Sequence, residues 1–273
     1  MKKVSVIIPS YNSADTIERC INSVLDTNKC ELEIIVVNDG SSDNTEQILE
    51  AYDNRIKYIT VENKGVSYAR NTGLCEATAP FVMFMDADDY MDSAAIDTLL
   101  LEQEKTGADI VRCTHKYTYE NGEEKPCVYD FKKKGFFQKD EFNKYIYPYF
   151  INGILMNTVC MTLFKRDLLK GLQFRLDMHT AEDAVFEVEV YTRAKSVYVT
   201  PYAFYNYYQG TGSLTGSGLG IAEKYRCNLI FSHQMAKHLK QWNMNTLLWH
   251  IRVWLRPLIL TFNKLKRLIY NTH

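Results

Sequence analysis

No stretch of 18 uncharged apolar residues occurs in this chain, which excludes a conventional membrane-spanning helix. No Cys-x-x-Cys pair occurs either. The seven cysteines (20, 30, 75, 113, 127, 160 and 227) are odd in number, which argues against a disulfide framework or zinc site and for reduced thiols. Glycine is missing where a dinucleotide would need it. The first apolar run is followed by Ser10-Tyr11-Asn12, so the G-x-G-x-x-G loop of a dehydrogenase is absent. That run, behind Met1-Lys2-Lys3, stops at Pro9 and is too short for the core of a signal peptide. An unexported, cytoplasmic protein is expected.

Acidic residues are missing from one end. From Lys224 to His273 there are nine Lys or Arg and no Asp or Glu. The remaining 23 basic residues therefore stand against all 33 acids in residues 1–223, an acidic body with a basic tail.

What is present describes a folded α/β protein. The 273 residues are 46% apolar, 13% aromatic and 24% charged, an ordinary globular profile. The first 113 residues alternate between two periodicities. Val4–Pro9, Glu33–Val37, Ile56–Val61, Phe81–Met85 and Ala108–Cys113 read as strands. Between them, Ser13–Leu25, Asp43–Tyr52, Val66–Ala77 and Ser93–Lys105 read as helices. That order predicts a mostly parallel sheet covered by helices. Further on, Tyr117–Tyr129 reads as a hairpin around Asn121-Gly122 and Phe142–Phe150 as a helix. Thr158–Phe164 reads as a strand, Glu182–Arg193 as a helix, and Ser196–Thr200 and Ala203–Tyr208 as two short strands. A Gly-rich stretch, Gly210–Gly220, precedes two helical segments near Ile221–Leu239 and Thr246–Ile269.

Ligands of open α/β sheets sit beyond the carboxyl ends of the strands, and acids collect there. The fourth strand is followed by Asp86-Ala87-Asp88-Asp89. Two carboxylates about 4 Å apart repel by roughly 4 kcal/mol at an effective dielectric of 20, so three in four residues ask for a hard divalent cation such as Mg²⁺ or Mn²⁺. The plainer alternative makes this a loop whose acids serve the next helix, with Asp92 or Ser93 as its cap. Asp39, in Asn38-Asp39-Gly40-Ser41-Ser42-Asp43, is by itself a good turn residue, yet its strand end shares the same sheet edge. Arg70 is either a solvated charge or a phosphate contact. Glu182-Asp183 opens a helix after His179-Thr180-Ala181. Adjacent helical side chains diverge by about 100°, so one of the two is expected to cap the helix or act as a single general base.

Together these residues resemble the family 2 inverting glycosyltransferases of the GT-A fold, of the bacterial surface-polysaccharide type. The matching stretches are Val4-Ser-Val-Ile-Ile-Pro-Ser-Tyr-Asn12, Val36-Val-Asn-Asp-Gly-Ser-Ser-Asp43, Gly65-Val-Ser-Tyr-Ala-Arg-Asn71, Phe84-Met-Asp-Ala-Asp-Asp89, Ala181-Glu-Asp183 and, more loosely, Gly212-Ser-Leu-Thr215. The resemblance implies a Rossmann-like, mostly parallel sheet with a smaller acceptor-side mixed sheet and a C-terminal helical tail. It divides the chain into a nucleotide-sugar-binding half (1–113), an acceptor-binding half of the same domain (114–220) and the basic tail (221–273). It implies that Pro9, Tyr11, Asp39, Arg70 and Asp86 surround a nucleoside-diphosphate sugar, with a UDP-sugar the expected donor. Asp88 with Asp86 would hold Mn²⁺ or Mg²⁺, and Asp183 would be the catalytic base. The implied acceptor is a hydroxyl of a glycan or of a polyprenyl-diphosphate-linked sugar, and no nucleic-acid partner is expected. Where many relatives have Arg or His after the Tyr-Tyr strand, this chain has Gln209-Gly210. The rival functions are a catalytically inactive membrane or polysaccharide adaptor and a sugar-nucleotide nucleotidyltransferase. The latter calls for a Gly-rich basic loop after the first strand, which Ser10–Asn12 is not.

The tail carries one more pattern. At helical spacing, Leu247, Ile251, Trp254, Leu255, Leu258, Phe262, Leu265 and Ile269 share a face, with Arg252, Arg256, Asn263 and Arg267 opposite. Either that apolar face packs on the sheet domain or it lies on an anionic membrane surface.

Overall fold

The computed structural model describes residues 3–26, 30–127, 131–152, 158–210 and 219–270, the last eleven of these by backbone alone. The looser Gly212–Thr215 motif lies outside the described residues. In chain order the elements begin with β1 (Val4–Ser10), α1 (Ile17–Leu25), β2 (Leu32–Asn38), α2 (Thr45–Glu50), β3 (Lys57–Thr60) and α3 (Val66–Glu76). β4 (Phe81–Phe84), β5 (Tyr90–Met91), α4 (Ala95–Thr106), β6 (Ile110–Tyr119), β7 (Glu124–Pro126) and β8 (Gly135–Gln138) follow. The chain continues through α5 (Phe142–Tyr145), α6 (Tyr147–Asn152), β9 (Thr162–Lys165), α7 (Arg166–Leu169) and α8 (Glu182–Arg193). It closes with β10 (Ser196–Gln209), α9 (Ile221–His238) and α10 (Leu247–Tyr270).

The early strands form where their apolar runs demand burial on both faces. Along β1 and β2, Ile7, Ile35 and Val37 belong to one core cluster, while Val6, Ile8, Ile34 and Val36 belong to another. Successive side chains of a strand point to opposite faces, so a run without polar interruption places the sheet between two layers. The first layer holds α3, α8 and α9, and the second holds α1 and α4.

All strands join one sheet in the order β3-β2-β1-β4-β9-β6-β10-β5, with β7 on β6 and β8 on β10. β1 pairs in parallel with β2 and β4, and β2 with β3. β9 lies antiparallel to both neighbours, β4 and β6. The strands expected on the acceptor side thus continue the same sheet. The two short strands expected at 196–208 are one strand, which runs past Pro201 with register irregularities between Val199 and Ala203 and between Ala203 and Tyr205. Pro201 interrupts the hydrogen-bond ladder without ending the strand. The Asn121-Gly122 hairpin forms, with Lys116–Thr118 opposite Glu124–Pro126 and Gly122 at φ 80°.

Helix α3 reaches the sheet through a glycine. A Cβ on Gly73 would sit 2.4 Å from Cγ2 of Ile7, and Ile7 is fully buried. Gly73→Ala should gain about 1 kcal/mol of helix propensity but lose about 1–3 kcal/mol to overpacking. The expected net result is a melting temperature lower by a few degrees; an unchanged or higher value would mean that α3 moves off the sheet at no cost.

Candidate active site

The loops leaving β1, β2 and β4 meet at one edge and bound a cavity of about 350 Å³. Its wall includes Pro9, Tyr11, Asp39, Arg70, Asp86 and Asp88, the whole predicted set apart from Asp183. Asp183 stands directly behind it, in contact with Arg70.

The first two loops are interlocked by side chains. Asn12, at φ 48°, donates its N–H to Oγ of Ser41 at 2.9 Å and accepts the Ser42 N–H on Oδ1 at 2.8 Å. Asp43 accepts the Ala14 N–H at 3.0 Å and the Thr45 N–H and hydroxyl at 3.0 and 2.6 Å. Its carboxylate therefore ties the loop after β1 to the start of α2. Asp39 is buried and accepts the N–H groups of Lys64 and Gly65 at 2.9 and 2.8 Å. This fixes the chain entering α3 while leaving Asp39 in the cavity wall. Tyr11 remains 38% exposed, an aromatic surface open to a planar ligand.

Arg70 organises the far side. It projects from α3, is buried, and donates from Nη2 to Oδ1 of Asp86 at 2.8 Å. Nη1 donates to Oε1 of Glu182 at 3.1 Å and to Oδ1 of Asp183 at 2.5 Å. Glu182 and Asp183 thus share one cationic partner. They occupy the first turn of α8, and one guanidinium nitrogen set across that turn reaches both. Neither caps the helix. The residue before them, Ala181, takes the N-cap place at φ 61°, a left-handed conformation that costs a non-glycine residue about 1 kcal/mol or more. Burial pushes the Asp183 carboxyl well above the usual carboxylate range; the Arg70 charge opposes the shift, and Glu182 and Asp86 reinforce it. The three acids in turn hold the Arg70 guanidinium firmly protonated despite its burial.

The Asp86–Asp89 run divides its labour. Asp89 is buried and accepts the Tyr205 hydroxyl at 2.6 Å and the Tyr208 N–H at 2.9 Å, so it fastens β10 to the loop. Burial first, then the charges of Asp86 and Asp88, push its carboxyl well above the usual range. Asp86 and Asp88 are half-buried and line the cavity. Asp92 and Ser93 do not cap α4: its N-cap is Ala94. The Asp92 carboxylate instead accepts from Asn206 Nδ2 at 2.9 Å and pairs with Lys116, because β10 arrives alongside and offers stronger partners.

Several wall and support residues were not foreseen. Arg19 donates to the Asp88 carbonyl at 2.8 Å and lies 3.8 Å over the Tyr208 ring. Tyr207, Tyr208 and Asp15 also line the cavity, as does the already considered Glu182. Arg19 and Asp15 sit in and just before an ordinary amphipathic helix, so periodicity carries no sign of their role. Tyr207-Tyr208 was legible only as strand sequence.

Among the described residues the wall carries five carboxylates (Asp15, Asp39, Asp86, Asp88, Glu182) against one guanidinium, that of Arg70. Among the described residues, no group of three or more His, Cys, Asp or Glu side chains is arranged to hold a metal unaided. One or two carboxylates completed by phosphate oxygens is nevertheless the usual way magnesium is bound. The donor set therefore fits a hard divalent ion that arrives with a phosphorylated ligand.

A family model described as glycosyl transferase family 2 matches residues 5–172. Over 230 residues the chain is 33% identical to the uncharacterized glycosyltransferase EpsJ of Bacillus subtilis (strain 168), covering 78% of this chain and 62% of that protein. It is 29% identical over 215 residues to the poly(ribitol-phosphate) beta-N-acetylglucosaminyltransferase TarP of Staphylococcus aureus (strain N315), covering 75% of this chain and 62% of TarP. The crystal structure of S. aureus TarS 1–349 in complex with UDP-GlcNAc has the same fold, with a TM-score of 0.73 at 24% identity over 85% of this chain and 66% of that one. The chain thus spans about three-fifths of the length of these two curated relatives.

Proposed function

The chain belongs to glycosyl transferase family 2, and on that premise we propose that it transfers a sugar, with inversion, from a UDP-sugar to a hydroxyl of a glycan or lipid-linked acceptor in surface-polysaccharide synthesis. The observation that carries this reading is the Arg70 clamp. One buried guanidinium gathers Asp86, Glu182 and Asp183 at the end of a cavity that also presents Tyr11, Asp39 and Asp88. The relatives add support: TarP is named for N-acetylglucosaminyl transfer, and TarS is solved with UDP-GlcNAc.

In this reading Pro9 and Tyr11 form the apolar wall for the base, and Asp39 accepts from a base N–H or a ribose hydroxyl. Asp86 lies nearer the ribose. Asp88, with Asp86 beside it, would hold Mn²⁺ or Mg²⁺, which when bound supplies positive charge to the diphosphate oxygens. Asp183 takes the proton of the acceptor hydroxyl. The acceptor oxygen forms its bond to the anomeric carbon from the face opposite the diphosphate as the bond to the diphosphate oxygen breaks. One displacement inverts the configuration, so an α-linked donor yields a β-glycoside. Burial of Asp183 raises its proton affinity, which suits a base that must accept a proton in the transition state.

Asp88→Ala tests the cation assignment. Removing one of several mutually repelling carboxylates should leave the melting temperature of the ligand-free protein near or above its original value. The additional stabilisation that Mn²⁺ confers on the UDP-bound protein should disappear, because a ligand stabilises only through the affinity it retains. Undiminished Mn²⁺-dependent UDP binding in this variant would sink the assignment. Transfer undetectable with every donor, despite intact UDP binding, would instead favour the adaptor.

A further inference from the structure

Helix α10 has two unlike faces. Val253, Arg256 and Pro257 turn inward, and Arg256 donates to Asn228 Oδ1 at 2.8 Å while lying 4.3 Å over the Phe231 ring. The docked face thus packs against α9, although Nε of Arg256 is buried there without a hydrogen-bond partner. Opposite it, Leu247, Ile251, Trp254, Leu255 and Leu258 are between 44% and 78% exposed. They recur at three- and four-residue spacing and form one stripe about 17 Å long. The alternative that this face packs on the sheet domain is therefore wrong for residues 247–258. A contiguous apolar stripe of this kind marks an interaction surface.

Charge identifies the partner. No Asp or Glu occurs from Lys224 to His273, against nine Lys or Arg. Arg252 is exposed beside the stripe, and Lys264, Lys266 and Arg267 follow in the sequence of the same helix. A second copy meeting this face symmetrically would bring cations onto cations with no acid of the segment between them. A surface that is apolar within and negative at its margin complements it. Trp254 adds a side chain suited to such a boundary. Among the described residues no helix is long and apolar enough to cross a membrane, so the helix lies in the plane of the surface. We infer that the exposed face of α10 docks on an anionic membrane, with Ile251, Trp254, Leu255 and Leu258 entering the headgroup region and Arg252 at its edge. Arg256, buried on the opposite face, takes no part.

Co-sedimentation of the 273-residue chain with vesicles tests this without any donor or acceptor sugar. The chain should pellet with phosphatidylglycerol-containing vesicles at low salt, much less at high salt, and not with phosphatidylcholine alone. The triple variant Ile251→Ser, Trp254→Ser, Leu258→Ser removes apolar groups that are about half exposed, Trp254 also giving up its contact with the His233 ring. It should lower the bound-to-free ratio by about two orders of magnitude with the chain still folded and its melting temperature lower by a few degrees. Should the triple variant fold poorly, Arg252→Glu on an otherwise native helix should lower the ratio about tenfold. A chain that stays in the supernatant at low salt overturns the inference, as does a folded triple variant that sediments like the parent. A dimer seen by light scattering, broken by the triple variant and indifferent to vesicles, would reassign the face to a second copy.

Discussion

Replacing Asp183 with Asn is expected to lower the transfer rate by about three to four orders of magnitude while leaving UDP affinity within about twofold. The interaction removed belongs to the transition state, since the base takes a proton only as the acceptor oxygen attacks. The fold should survive, because Arg70 keeps Asp86 and Glu182 as partners. The pH profile supplies an independent readout. A base must be deprotonated to work, and the Asp183 carboxyl is held above the usual range by burial. Activity of the parent should therefore fall as pH drops through that raised value, at a higher pH than a solvated carboxylate would give, and the residual activity of Asp183→Asn should lack this limb. Glu182→Gln is the necessary comparison. Glu182 lines the cavity whereas Asp183 sits behind, so Glu182→Gln should act mainly on binding. If it is the more damaging change to turnover, the two roles are exchanged.

Arg70→Met should be the most destabilising single substitution at the site. The side chain is 4% exposed and pairs with three carboxylates. Removing one partner of a buried ion pair costs about 3–5 kcal/mol because charge is left uncompensated. At roughly 2–4 °C per kcal/mol for a chain of this size class, the melting temperature should drop by about 10 °C. Arg70→Lys separates charge from geometry. It keeps the cation but not the planar fork that spans Asp86 on one nitrogen and Glu182 with Asp183 on the other. This variant should regain much of the stability yet lose about a hundredfold in transfer, the scale of a misplacement near 1 Å. A lysine variant with full activity would show that only the charge matters.

The parts of the fold legible in the sequence were those set by burial on both faces. Val4–Pro9 and Glu33–Val37 have no solvent side, so their apolar runs could only be central strands. Tyr90–Met91 and Gly135–Gln138 were not legible. Each is a short strand that exists because a partner in β10, more than 50 residues away, offers it a ladder. The site divides in the same way. Acids at strand ends could be read from position alone, and Pro9, Tyr11, Asp39, Arg70, Asp86 and Asp88 do share one cavity. What spacing could not convey is which distant groups pin each acid. Asp89 is held by Tyr205 and Tyr208, and Arg70 finds Asp183 across 113 positions. Such contacts follow from topology, not from local pattern.

The place of β9 bears on how the chain is made. The sheet runs β1-β4-β9-β6 across its centre, yet β9 is synthesised about fifty residues after β6 begins. At roughly 5–20 residues per second, a translating ribosome takes about 3–10 s to cover that distance. Over that interval the emerging chain already holds β1, β2 and β4 while the strand that joins β4 to β6 is still unmade. The open side of β4 is an unpaired row of N–H and C=O groups on an apolar strand, the kind of edge that recruits foreign strands. Newly made chains in neighbouring positions on one message are the nearest such strands, so productive folding of this protein depends on keeping that edge solitary until Thr162–Lys165 arrives.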